Sequence, residues 1–137
     1  MSYLLDTNVI CEIVKIKPAQ NVLDWINRVP EKNLFISVLT LGEIRKGIEK
    51  IGDIKRREFI RLWLENDLPT YFSDRILPID LNVADQWGRL QSSLKGHILP
   101  AIDGLLAATA LSHHLRLVTR HEKDFTYCSL EVINPWN

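Results

Sequence analysis

The chain has 137 residues, 46% hydrophobic and 25% charged, and its 17 basic and 17 acidic side chains cancel to zero net charge. That balance suits one soluble domain with a single core and argues against a protein that coats nucleic acid indiscriminately. No apolar run reaches membrane-spanning length, Met1 to Lys15 lacks the flanks of a signal peptide, and Cys11 and Cys128 are too few for a disulfide framework, which points to a reducing cytoplasm.

Tyr3, Leu4 and Leu5 form a short apolar run closed by Asp6-Thr7-Asn8, the pattern of a buried strand ending in a helix start. A helix is expected over Asn8–Val14, ended by Lys17-Pro18. Ala19–Val29 carries Val22, Trp25, Ile26 and Val29 at helical spacing and stops at Pro30, and Leu34–Val38 is apolar and β-rich. Thr40 opens the next expected helix, with Leu41, Ile44, Ile48 and Ile51 on one face. Asp53–Tyr71 reads as one long helix, Arg75–Ile79 as a strand, and Asn82–Leu94 as a helix. Asp103–Leu115 is a small-residue, strongly apolar helix suited to a central position, and two strands follow at Leu115–Thr119 and Leu130–Ile133. No repeat, low-complexity tract or linker divides the chain, so residues 1–137 read as one domain.

Short apolar strands alternating with helices predict an α/β fold, a small mainly parallel sheet covered on both faces. Such sheets bind ligands beyond the carboxyl ends of their strands. Asp6, Glu43, Asp103 and Asp124 each stand where an apolar run gives way to a turn or a helix, so this architecture gathers them at one end. Two carboxylates about 4 Å apart repel by about 4 kcal/mol at an effective dielectric of about 20. A divalent cation relieves that repulsion, and all-oxygen donors suit Mg²⁺ or Mn²⁺.

Each acid also has a local structural explanation. Thr40-Leu41-Gly42-Glu43 fits a capping box, Asp103 fits a helix N-cap, Asp6 fits a cap of its own turn, and Asp124 fits a bend at Glu122-Lys123. The catalytic reading therefore rests on the set. His97, His113, His114 and His121 lack metal-ligand spacing, no phosphate-binding Gly-Lys loop exists, and Ser37, Ser92 and Ser93 lack a nucleophile elbow. Arg45, Lys46, Lys50, Lys55, Arg56, Arg57 and Arg61 crowd one stretch, either a basic rim beside an acidic pocket or a solvated helix face.

Five pieces in order carry a family likeness: Leu4-Leu5-Asp6-Thr7-Asn8, then Ser37 to Ile44, then Asp103 to Leu111, then Leu117 to Arg120 with Asp124-Phe125, and the closing Asn134-Pro135-Trp136. Over nearly its whole length the chain resembles the PIN-domain ribonucleases, and among them the VapC-like toxins of type II toxin–antitoxin pairs. The resemblance implies a three-layer α/β/α sandwich. It implies an acidic quartet at Asp6, Glu43, Asp103 and Asp124, supported by Thr7, Asn8 and Thr119. Asp6 and Asp103 would be the principal Mg²⁺ (or Mn²⁺) ligands, with Glu43 and Asp124 completing the site directly or through water.

RNA as substrate also comes from the likeness, since the carboxylates alone would serve any phosphodiester; Arg120 and Arg45 are the expected substrate contacts. The expected partners are a cognate VapB-like antitoxin and a second copy of the chain, a homodimer within a larger complex. Phe59, Leu62, Trp63 and Tyr71 offer either partner a surface, with ordinary core packing as the competing role. His121 departs from the family's usual Asn after Thr-Arg. Two rival classes are a non-catalytic PIN-like module that binds RNA or a partner, and a receiver-like phosphotransfer protein. The intact quartet weighs against the first. The second would want a paired acid beside Asp6 and a lysine where Arg120 follows Thr119.

Overall fold

Adjacent residues of the first strand belong to different cores. The computed structural model describes residues 1–137, and in it Leu5 of β1 (Tyr3–Leu5) packs with Val9, Ile36 and Val118, while Leu4 packs with Leu106, Leu117 and Phe125 on the opposite side. This is the two-residue alternation of a strand buried on both faces. β2 (Leu34–Ser37), β3 (Ile76–Leu77), β4 (Arg116–Val118) and β5 (Val132–Ile133) complete the sheet in the order β3-β2-β1-β4-β5, every pairing parallel. One face is covered by α1 (Thr7–Ile13), α2 (Gln20–Arg28), α3 (Val38–Ile48), α4 (Ile54–Leu62) and α5 (Leu68–Tyr71). The other is covered by α6 (Leu81–Ser93) and α7 (Ala101–Ser112), giving the three-layer α/β/α sandwich.

The topology turns at β1. From it the chain builds outward through β2 and β3, then returns to lay β4 on its other edge. A reversal of strand order opens a crevice beyond the carboxyl ends, here between β1 and β4. Asp6 and Thr119 are the residues that follow those two strands.

Several boundaries differ from the sequence expectation for identifiable reasons. α3 starts at Val38, not Thr40: the Ser37 hydroxyl accepts from the Leu39 amide at 3.0 Å, so strand passes into helix with no intervening loop. The expected long helix over Asp53–Tyr71 is interrupted by a π-turn at Trp63–Asp67, where the Leu68 amide reaches back to the Trp63 carbonyl. Pro69 has no N–H to offer the Glu65 carbonyl, which removes one α-helical bond at that point. β3, β4 and β5 are shorter than expected. α6 begins at Leu81 because Asp80 caps it, its Oδ1 accepting from the Val83 amide at 3.0 Å.

The basic stretch is mostly consumed by the fold. Arg56 donates to the Val14 carbonyl, Arg57 to the Ile51 carbonyl at 2.9 Å, and Arg61 pairs with Glu58 and Glu65. Of the two roles open to the apolar stripe, surface holds for most of it: Phe59, Leu62 and Tyr71 are 54%, 46% and 42% exposed, and α4 turns only Ile60 inward. Trp63 is the half-buried member and packs on the core.

Candidate active site

Asp6 sits on the switch point and is held from three directions. Its extended backbone ends β1, its amide donates to the Val118 carbonyl at 2.9 Å, and its carboxylate caps α1. Oδ1 accepts from the Thr7 amide at 2.7 Å; Oδ2 accepts from the Thr119 hydroxyl at 2.7 Å and from the Asn8 amide nitrogen at 3.2 Å. Asn8 also donates to Thr119 Oγ1 at 3.3 Å and accepts from the Arg120 amide at 3.2 Å. Thr119, fully buried, accepts further from the His121 amide at 3.1 Å. Asp6 is only 8% exposed, and this network satisfies a carboxylate that burial would otherwise penalise.

Glu43 is tied to the same corner from α3. The Thr7 hydroxyl donates to Glu43 Oε1 at 2.6 Å and lies 3.0 Å from the Thr40 hydroxyl. Thr7 has one hydroxyl proton, so with that proton on the carboxylate Thr40 must donate to Thr7. Glu43 therefore bridges α3 to α1 and does not close a capping box onto Thr40, the local role its spacing offered.

Asp103 is the third residue of α7, within its first turn, and not the N-cap that its sequence suggested; Pro100 holds that position. Its carboxylate accepts no hydrogen bond. Burial raises its pKa above the ordinary aspartate value, and the charges of Asp6, Asp124 and Glu43 raise it further, against a smaller opposing pull from His121. Asp124 lies in the 3₁₀ turn Glu122–Phe125 that follows β4, its amide bonded to the His121 carbonyl at 3.0 Å. The four acids, from four segments, thus share one electrostatic neighbourhood. No three His, Cys, Asp or Glu side chains stand close enough together to hold a metal ion, so the four acids are linked here by their charges on Asp103 and not by a formed cage. Two thiols border the site. Burial and then Glu43 push the Cys11 thiol up, and burial and then Asp103 push up Cys128.

Residues 3–127 match the family described as PIN domain. The chain belongs to the PIN-domain family. It is 35% identical over 135 residues to VapC ribonuclease Y4jK of Sinorhizobium fredii, covering 97% of this chain and 96% of that one. A crystal structure of FitAcB from Neisseria gonorrhoeae superposes with a TM-score of 0.93 at 34% identity, covering 98% of this chain and 99% of the other. A toxin–antitoxin complex from Klebsiella pneumoniae matches at a TM-score of 0.73 and 26% identity, covering 99% of each chain.

Within this PIN domain the two arginines expected to meet substrate stand differently. Arg45 Nη2 donates to Glu65 Oε2 at 2.8 Å, on the flank facing the π-turn. Arg120 stacks its guanidinium over Trp136, 5.2 Å from the ring centre, while its carbonyl accepts from Asn134 at 3.3 Å. Those contacts clasp the C-terminal segment against the loop that leads to Asp124. Thr40 is the supporting residue that sequence reasoning missed. Its only signal was a threonine three positions before Glu43, which the capping pattern assigned another role; in the fold it is fully buried.

Proposed function

We propose that this PIN domain is a metal-dependent endoribonuclease and the toxin of a type II toxin–antitoxin pair. The observation that carries the reading is Asp103 itself, a half-buried carboxyl without a hydrogen bond, which burial first and then the charges of three other acids push up. Mutually repelling carboxylates beyond the carboxyl end of a parallel sheet are costly unless a cation uses them. The donor set fits a hard cation, since the four acids all offer carboxylate oxygens and burial raises the pKa of the two nearby thiols, which disfavours thiolate donors. Asp6 and Asp103 would hold Mg²⁺ or Mn²⁺, with Glu43 and Asp124 completing the set. A bound divalent cation supplies positive charge that orients a water and offsets charge building on the phosphate.

The chain's own side chains prepare that site. Thr119, Asn8 and the Thr7 amide fix both Asp6 oxygens and so its orientation. Thr7 holds Glu43 through one oxygen and leaves Oε2 free. Asp103 stays mobile in charge, taking a proton more readily than an ordinary aspartate until the repulsion is relieved. No serine, cysteine or histidine is placed as a nucleophile, so water is the attacking group, and the products are a 5′-phosphate and a 3′-hydroxyl. The ribonuclease name of a relative matched over 97% of this chain supports RNA as the substrate.

The relative solved as a toxin–antitoxin complex supports a cognate VapB-like antitoxin, and we place its contact at the apolar hollow of about 430 Å³ bordered by Ile10, Ile13, Ile26, Trp63, Leu68 and Tyr71. An amphipathic helix suits such a groove. The toxin acts as a homodimer within the larger complex, and no helix of the chain is long and apolar enough to cross a membrane.

The test is cleavage of a single-stranded RNA by purified protein. Mg²⁺ or Mn²⁺ should support cutting, EDTA should stop it, and Asp103→Asn should remove it. A chain that binds RNA with its quartet intact and metal present, yet leaves the strand whole, would instead be a non-catalytic binding module.

A further inference from the structure

Beside the acids, α3 and the start of α7 enclose an open cavity of about 560 Å³ that the hydrolytic chemistry does not use. Glu43 stands at its head; Gly42, Lys46, Gly47 and Lys50 continue along the same side of α3 and the turn after it. This spacing, repeating every three to four residues, puts them on one face. Val38, at the start of the same α3 face, and Ile102, across the cleft on α7, are 39% and 41% exposed and give it an apolar rim.

We infer that this cleft is the track on which an RNA strand lies as it enters the acid site, with Lys46 and Lys50 holding backbone phosphates. The inference rests on the ribonuclease reading and adds to it the residues that bind the strand. Three observations converge on it. The lysines are exposed and form no ion pair or hydrogen bond, whereas the arginines around them are spent: Arg45 and Arg61 share Glu65. They stand four positions apart across the end of α3 and border the same cleft, so they can meet neighbouring phosphates. Gly42, beside Glu43, and Gly47, between the lysines, have nothing within 4 Å of the position a Cβ would take, so the floor from the acid to the cations is bare backbone, open to a ribose or a base. A polyanion arriving at four carboxylates needs positive charge close by, and this face of α3 supplies it in continuity with Glu43. The apolar rim gives a base edge or face something to rest on.

The experiment measures binding of a fluorescent single-stranded oligouridylate to the full chain over a salt series, with EDTA keeping the strand intact, and cleavage kinetics with metal restored. Lys46→Ala/Lys50→Ala should weaken binding at least tenfold. It should also reduce the slope of log affinity against log salt by about 1.4, roughly 0.7 for each phosphate contact on a single strand. KM should rise more than kcat falls. Gly47→Leu fills the floor without changing charge, and leucine is the better helix former, so α3 persists while binding falls. Lys32→Ala/Lys55→Ala, which removes two charges elsewhere, should behave as wild type. Unchanged binding in the α3 variants, with wild-type cleavage intact, overturns the track alone. Loss of the dimer on sedimentation of those variants also overturns it, assigning the cleft to a second copy of the chain. A wild-type chain that neither binds nor cuts RNA sinks the ribonuclease reading itself, and this inference with it.

Discussion

Asp6 and Asp103 are both half of the same acidic pair, yet their surroundings are opposite. Asp6, at the β1–α1 junction, accepts three hydrogen bonds from Thr7, Asn8 and Thr119. Asp103, in the first turn of α7, accepts none and bears the repulsion of three other acids. One side of the site is therefore built into the sheet and finished on folding; the other is left electrostatically unresolved. The contrast separates two demands. On the proposed metal-dependent reading, positioning needs a satisfied carboxylate and cation capture an unsatisfied one, so the α7 side is where binding a cation would return free energy to the fold.

The largest effect that would break this contrast is on activity. Asp6→Ala and Asp103→Ala should each cut RNA cleavage on the order of a hundredfold or more, beyond the tenfold to hundredfold typical of groups that only orient a ligand. Their stabilities should part in sign: Asp6→Ala costs about 1–2 kcal/mol in chemical denaturation as a helix cap is lost, whereas Asp103→Ala stabilises the metal-free chain. Two variants of equal stability would refute the distinction. Thr119→Val should follow, lowering activity about tenfold to a hundredfold and leaving Asp6 free to rotate, with the strongest effect at limiting metal.

Gly104→Ala sharpens the α7 side from another direction. A Cβ there would lie 2.6 Å from Gln91 Nε2 and 2.9 Å from Trp87 Nε1, so the Gln91 tip and the bulkier Trp87 indole must give way in the α6–α7 seam beside Asp103, at a cost of about 1–3 kcal/mol. Thermal unfolding and cleavage should fall together. The smallest effect is on pH. Because folding raises the Asp103 pKa, the folded state holds that proton more tightly than the unfolded chain does. Its contribution is most favourable on the acid side and is lost as pH rises through the raised value. Metal-free Asp103→Asn should lack that component of the pH–stability curve, and Mg²⁺ should erase the difference in the parent protein.

What could be read from the sequence divides along the same line. β1 and Asp6 were legible because an apolar run ending in Asp-Thr-Asn is a local statement, and the sheet's handling of strand ends is general. The three-layer architecture followed from strands and helices alternating in order. Glu43 was legible as a candidate but not in its contacts, since its partner Thr7 is 36 positions away and the nearer Thr40 mimics a cap. The π-turn at Trp63–Asp67 escaped because apolar spacing barely changes over one extra residue, and Pro69 came too late to reveal it. Arg45 was expected among the substrate contacts; in the fold α3 pairs it with Glu65 and turns the adjacent Lys46 to the cleft, a difference of one residue that only helix phase decides.

The absence of a loop between β2 and α3 gives the chain a rigid phase relation. Ser37 ends the strand and caps the helix at once, so Glu43 is indexed to the sheet by an unbroken count of residues. One residue inserted between Val38 and Gly42 would swing that carboxylate by about 100° around the helix axis and lengthen its reach by about 1.5 Å. Lineages of this chain should therefore accept length variation after Ile48, in the Glu49–Asp53 connection, and show none between Phe35 and Glu43.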